Sequence, residues 1–99
     1  MPGWPDTGGT MKKVSVTADT LVVTGPCVYW GHVVTTAMSA AVTDIRDAVA
    51  AGAGDKIDSI AASAAIGARS QPAAGYPCST GLFIDFGGTG TVTVYYESR

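Results

Sequence analysis

This chain of 99 residues has few cations, one histidine, two cysteines and no asparagine. Six Lys and Arg against eight Asp and Glu leave a net charge of −2, and Lys12–Lys13 is the only adjacent cationic pair. Phosphate backbones are gripped by clustered cations, so no nucleic acid partner is expected. No apolar run approaches the ~20 residues of a membrane-spanning helix, and no membrane partner is expected. The N-terminal stretch lacks the basic start and apolar run of a secretory leader, which points to manufacture and assembly in a cytosol.

The scarce reactive side chains also narrow the chemistry. Acyl transfer by Ser or Cys needs a base beside the nucleophile. The only such base is His32, which lies in an expected strand beside Trp30 and reads as a packed or surface residue. Cys27 and Cys78 each follow a proline at the mouth of a strand, with no Cys-x-x-Cys spacing, so a zinc site is not expected. A disulfide between them and two free buried thiols both remain open; a reducing cytosol favours the thiols. The pairs Asp44/Asp47 and Asp55/Asp58 lack the regular oxygen spacing and closing Glu of a calcium loop and read as solvated charges. Gly87-Gly88-Thr89-Gly90 lies between two strands rather than before a helix, and Gly52-Ala53-Gly54 has no Lys-Ser/Thr after it, so neither reads as a phosphate cradle. No catalytic residue, cofactor or metal is assigned, and the protein is expected not to be an enzyme.

What is present is β structure. In Gly81–Tyr96, Leu82, Ile84 and Phe86 share one face of a strand, with Phe83 and Asp85 on the other. Val92, Val94 and Tyr96 alternate likewise with Thr91, Thr93 and Tyr95. Such period-two patterns mark half-buried strands, and the intervening glycines suit a hairpin turn, so a C-terminal hairpin is expected. Upstream, Val14 and Val16, then Leu21–Val23, supply further strand material around a turn at Ala18–Asp19. After the break at Gly25–Pro26, a second long strand runs from Cys27 to Thr36, where Gly31 signals a bulge or a close backbone approach. The middle is ambiguous. Val42, Ile45 and Val49 fall at helical spacing between Ser39 and Gly52, and pattern alone favours a helix there. Ile57–Ile66 reads either way, and 71–80 reads as a long connection. The chain is one domain over 11–99, preceded by a Gly/Pro-rich arm over 1–10 that carries Trp4. That arm reads equally as a loose terminus or as a reach onto a neighbour.

Several of these strings in order resemble the small β-sandwich virion structural proteins of tailed bacteriophages, of the capsid decoration or cement type. They are Gly25-Pro26-Cys27, the Val42–Asp47 string, the Ala50–Gly54 loop, the weakly apolar Ile57–Ile66, and Ser79–Tyr96. The likeness covers roughly residues 20–96, and its motifs are structural. It implies a strand rather than a helix at 41–46, and an all-β, jelly-roll-like sandwich of about six to eight strands. It further implies a decoration protein on the outer capsid surface that binds the major capsid protein and stabilises the shell as a homo-oligomer, with a trimer favoured. A chain this short buries only about 60% of its unfolded surface, so part of its stability is expected from association. Trp4 and whichever of Tyr95 and Tyr96 faces outwards are the candidate contacts, because rigid amphipathic aromatics anchor interfaces. The rival reading is a receptor- or carbohydrate-binding module on a tail or fibre, although the lack of Asn removes a common sugar partner.

Overall fold

The computed structural model describes residues 11–72 and 74–98. They form nine strands: β1 (Lys12–Val16), β2 (Thr20–Thr24), β3 (Cys27–Thr36), β4 (Thr43–Asp47), β5 (Asp55–Ile60), β6 (Arg69–Ser70), β7 (Tyr76–Cys78), β8 (Gly81–Asp85) and β9 (Thr91–Ser98). Two sheets result. The first runs β1-β9-β3-β6, with β7 also paired to β3, and the second runs β2-β8-β4-β5. Every pairing is antiparallel.

Alternation along the strands builds the core. Val16, Tyr29, Val34, Val92 and Val94 of the first sheet join Ile45, Ile60, Leu82 and Ile84 of the second in one buried cluster. Each such side chain stabilises the fold by about 1.5–3 kcal/mol on leaving water. Tyr96 and Phe86 pack against the cluster from its margin. The molecule is a slab measuring 37 × 30 × 17 Å.

One expectation is overturned, and the choice left open in the middle of the chain falls to strand. Gly81–Tyr96 does supply two strands, but they are not a hairpin: β8 pairs with β2 and β4, and β9 with β1 and β3. The intervening Phe86–Gly90 crosses from one sheet to the other, held by hydrogen bonds from Phe86 N to Asp19 Oδ1, Gly87 N to Thr43 Oγ1 and Thr89 N to Ser39 Oγ. Local alternation reports which face is buried, not which strand lies alongside. The helical spacing over 39–51 is likewise not used. Residues 43–47 are β4, with Thr43 and Ile45 inside, and Val42 stands exposed before the strand begins. The register slips opposite Ile45/Arg46, leaving Ile57 as an extra residue on β5.

Candidate functional site

The most differentiated region lies where β3 loses its regular pairing. Tyr29 pairs with Tyr96 and Gly31 with Tyr95, so Trp30 is an extra residue, a β-bulge. On the other edge of β3, β7 covers residues 27–29 and β6 covers only His32 and Val33. The bulge and the gap between β6 and β7 coincide. Both readings of Gly31 hold: it sits at φ +122°, and a Cβ there would lie 2.1 Å from the Ser70 carbonyl oxygen.

The bulge rephases the strand, so Tyr29 and His32 both point inwards although they are three residues apart. The Tyr29 hydroxyl lies 2.8 Å from His32 Nδ1 and donates to Asp58 Oδ2 at 2.8 Å. His32 Nδ1 is itself 3.4 Å from that carboxylate oxygen. A phenol has one proton to give, and Asp58 receives it. His32 Nδ1 therefore presents a proton towards the phenol oxygen and the Asp58 carboxylate together. Burial pushes the Asp58 carboxyl up, but hydrogen bonds from His32, Tyr29, Ser70 and the Ser59 N–H outweigh it and hold it at about 2. Burial is also the main reason the Tyr29 phenol is raised far above its ordinary value, with the bond to Asp58 adding to it. This polar group ties β3 to β5 across the sandwich.

On the outer side of the same stretch is a recess of about 180 Å³. Trp30, Val33 and Tyr95 give it apolar walls, Arg69, Ser70 and Gln71 give it a polar rim, and His32 also lines it. Trp30 leaves the core face, yet only 3% of it is exposed. Gly75 lies over it: a Cβ there would come within 2.6 Å of Val28 Cγ1 and 3.1 Å of the indole ring. Arg69 is solvent-exposed. The ion pairs among the described residues are made by His32, Arg46 and Lys56, and Arg69 takes part in none of them.

The other residues singled out by sequence fall as follows. Tyr96 turns towards the core and Tyr95 outwards into the recess. Trp4 lies outside the described residues. Cys27 and Cys78 are buried, free thiols placed directly opposite each other in the β3–β7 register. Burial raises both thiols above the ordinary range. Two carboxylates read as solvated prove engaged: Asp58 as above, and Asp47, which accepts from Ser79 N, Thr80 N, Gly81 N and the Ser79 hydroxyl at 2.9–3.4 Å. Burial would raise Asp47, but those donors prevail and lower it. Asp44 pairs with Arg46 and Lys56, and among the described residues no group of three or more His, Cys, Asp or Glu is placed to hold a metal. Ser70 gives its hydroxyl to Asp58, so the order nucleophile, histidine, carboxylate used in acyl transfer is not the order formed here.

Sequence reasoning missed Asp58, Arg69, Ser70 and Gln71 as site residues. Only the bulge signal at Gly31 pointed to the place. Comparison with known proteins finds no matching family model, no matching curated protein and no matching solved structure.

Proposed function

We propose that this protein is a non-enzymatic virion structural protein of a tailed bacteriophage. It decorates the outer capsid surface, binds the major capsid protein and stabilises the shell. The observation that carries this reading is the strand order. We read the order β1-β9-β3-β6 in one sheet and β2-β8-β4-β5 in the other as a jelly roll, an architecture used by viral capsid and lectin domains. The link from fold to role is an analogy, strengthened by the motif order along residues 20–96.

Shape and surface add support. One broad face of the slab, 37 × 30 Å, is on the order of 1,000 Å², above the roughly 800 Å² per partner of a standard interface. On the outer face of the second sheet, Leu21 stands opposite Phe83 in register and is 44% exposed. Val49, equally exposed, lies over Gly81 on the same strand. This apolar strip is bordered by Arg46, already neutralised by Asp44 and Asp85. It forms the shell-facing contact together with Trp4 of the 1–10 arm. Tyr96 serves packing and Tyr95 serves the recess. Symmetric copies, arranged as trimers, give many modest interfaces on one lattice.

The test is the number of copies per purified particle, measured by quantitative mass spectrometry. Hundreds support decoration; a handful, in multiples of three or six, moves the domain to the tail and refutes it. Deleting residues 1–10 abolishes capsid occupancy and leaves the isolated domain folded. Unchanged occupancy removes Trp4 from the contact.

A further inference from the structure

We infer that the recess between β3, β6 and β9 binds a monosaccharide that carries a carboxylate, such as a uronic or sialic acid. The inference does not depend on which assembly carries the domain. Three features converge. First, the volume of about 180 Å³ lies below the roughly 300–1,000 Å³ of pockets for drug-sized ligands, so it takes a single ring. Second, Tyr95 is the accessible aromatic wall, beside Val33 and the margin of the buried Trp30, and the C–H face of a pyranose packs on such an aromatic surface while its hydroxyls point elsewhere. Third, those hydroxyls meet Gln71, Ser70 and His32, and the Arg69 guanidinium has no carboxylate of its own among the described residues.

Arg69 is what selects an acid over a neutral sugar. Its planar fork accepts a carboxylate through two parallel hydrogen bonds, which a lysine would not reproduce. Its backbone is fixed by the Val33–Arg69 pairing of β6, and the Ser70 carbonyl packs against Gly31 at a distance that excludes any side chain there. Beneath the recess, the hydrogen bonds of Tyr29 and Asp58 hold the His32 ring in one orientation. A floor already ordered in the free protein spares the ligand the cost of ordering it. The gap between β6 and β7 thus gives the edge of the sheet an opening, where a continuous edge strand would fill it with backbone. The hydroxyl-bearing class is favoured over a flat aromatic acid because polar groups line the recess from two elements, His32 on β3 and the run Arg69–Gln71 on and after β6.

The experiment is a titration of the full chain, followed by amide NMR, with glucuronic acid, N-acetylneuraminic acid, glucose and benzoate. At least one acidic sugar shifts the amides of residues 69–71 and 95 saturably in the millimolar range, while glucose and benzoate bind at least about tenfold more weakly. Arg69→Gln, on an exposed side chain, lowers affinity for the acidic sugar about tenfold, and Gln71→Ala lowers it by a smaller factor. Equal binding of glucose, or unchanged affinity in Arg69→Gln, overturns the role of the cation. Benzoate binding as tightly as the acidic sugars overturns the sugar class. Absence of saturable shifts for both acidic sugars overturns the site.

Discussion

Oxidation of the thiol pair is the most quantitative perturbation the fold offers. Cys27 and Cys78 occupy opposite positions in an antiparallel pair, both buried. Directly opposed residues there lie about 4.5–5.5 Å apart at Cα, inside the roughly 4.4–6.8 Å that a disulfide spans. The bond would close a loop of about 50 residues, for which the chain-entropy relation gives about 4 kcal/mol at 25 °C, less any strain in the folded state. With a urea m-value of about 1–3 kcal/mol/M, the unfolding midpoint rises by roughly 1–4 M. The reaction transfers two electrons from the two thiols to glutathione disulfide in two exchange steps, and the chain loses about 2 Da. Because burial raises both thiols, thiolate is scarce in the folded state and oxidation runs slowly until the β7 edge opens. The assay compares urea midpoints of the reduced chain, the chain refolded in glutathione disulfide, and Cys78→Ser treated identically. An oxidised midpoint equal to or below the reduced one would refute the argument, since it would mean that the opposed positions do not hold the sulfurs in bonding geometry.

Other perturbations follow from the same structure. The Asp58 carboxyl is lower in the folded chain than its ordinary value of 3.8, so its stabilisation is complete above about pH 4–5 and lost as pH falls towards about 2; Asp58→Asn flattens that part of a thermal-melt profile, and parallel profiles would contradict it. Asp47→Ala removes the acceptor for three amides and a hydroxyl, costs about 2–3 kcal/mol, and speeds hydrogen exchange at Ser79, Thr80 and Gly81; unaltered exchange would count against the turn-holding role. Gly31→Ala forces a Cβ against the Ser70 carbonyl at φ +122°, costs about 2 kcal/mol or more, and red-shifts Trp30 fluorescence in a Trp4→Phe background; a fully stable, unshifted variant would deny the close approach. Leu21→Ser, at a 44% exposed position, changes stability by no more than about 0.5 kcal/mol but lowers capsid occupancy; full occupancy would free the outer face of the second sheet from any contact.

Much of the secondary structure was legible in the sequence, because period-two alternation is a direct image of a two-faced strand. Val92 and Val94, like Leu82 and Ile84, are buried as the pattern requires. Pairing was not legible, since the same alternation is produced whichever strand lies alongside. The Phe86–Gly90 segment illustrates this: its glycines suit a hairpin, yet here they let the chain pass close to Met38, Ser39 and Val42 on its way between sheets. At 39–51 the apolar spacing misled because Val42 and Val49 are exposed on either side of β4, so only Ile45 of the three belongs to the core. Polar groups were hardest to place. Asp58 and Asp47 look alike as surface carboxylates in the sequence, and their roles arise from partners 26–34 residues away: Asp58 across the sandwich from His32 and Tyr29, Asp47 at the turn before β8.

The site and the fold share one cause, the extra residue in β3. Without the bulge, strict alternation would send Tyr29 and His32 to opposite faces, and the pair could not meet over Asp58. With it, the strand turns a phenol and an imidazole inwards and an indole outwards within four residues. The inward group links the sheets through a carboxylate kept ionised by its donors. The outward indole is covered at Gly75, and the recess opens beside that cover. A glycine at 31 is required on both counts, for the positive φ of the bulge and for the Ser70 carbonyl that packs against it. Deleting Trp30 would restore regular pairing with Tyr29 and His32 two positions apart and still on one face, so it removes a wall of the recess and leaves the inward pair on its side, whereas Arg69→Gln changes only the charge of the rim. The two variants separate the shape of the recess from its charge.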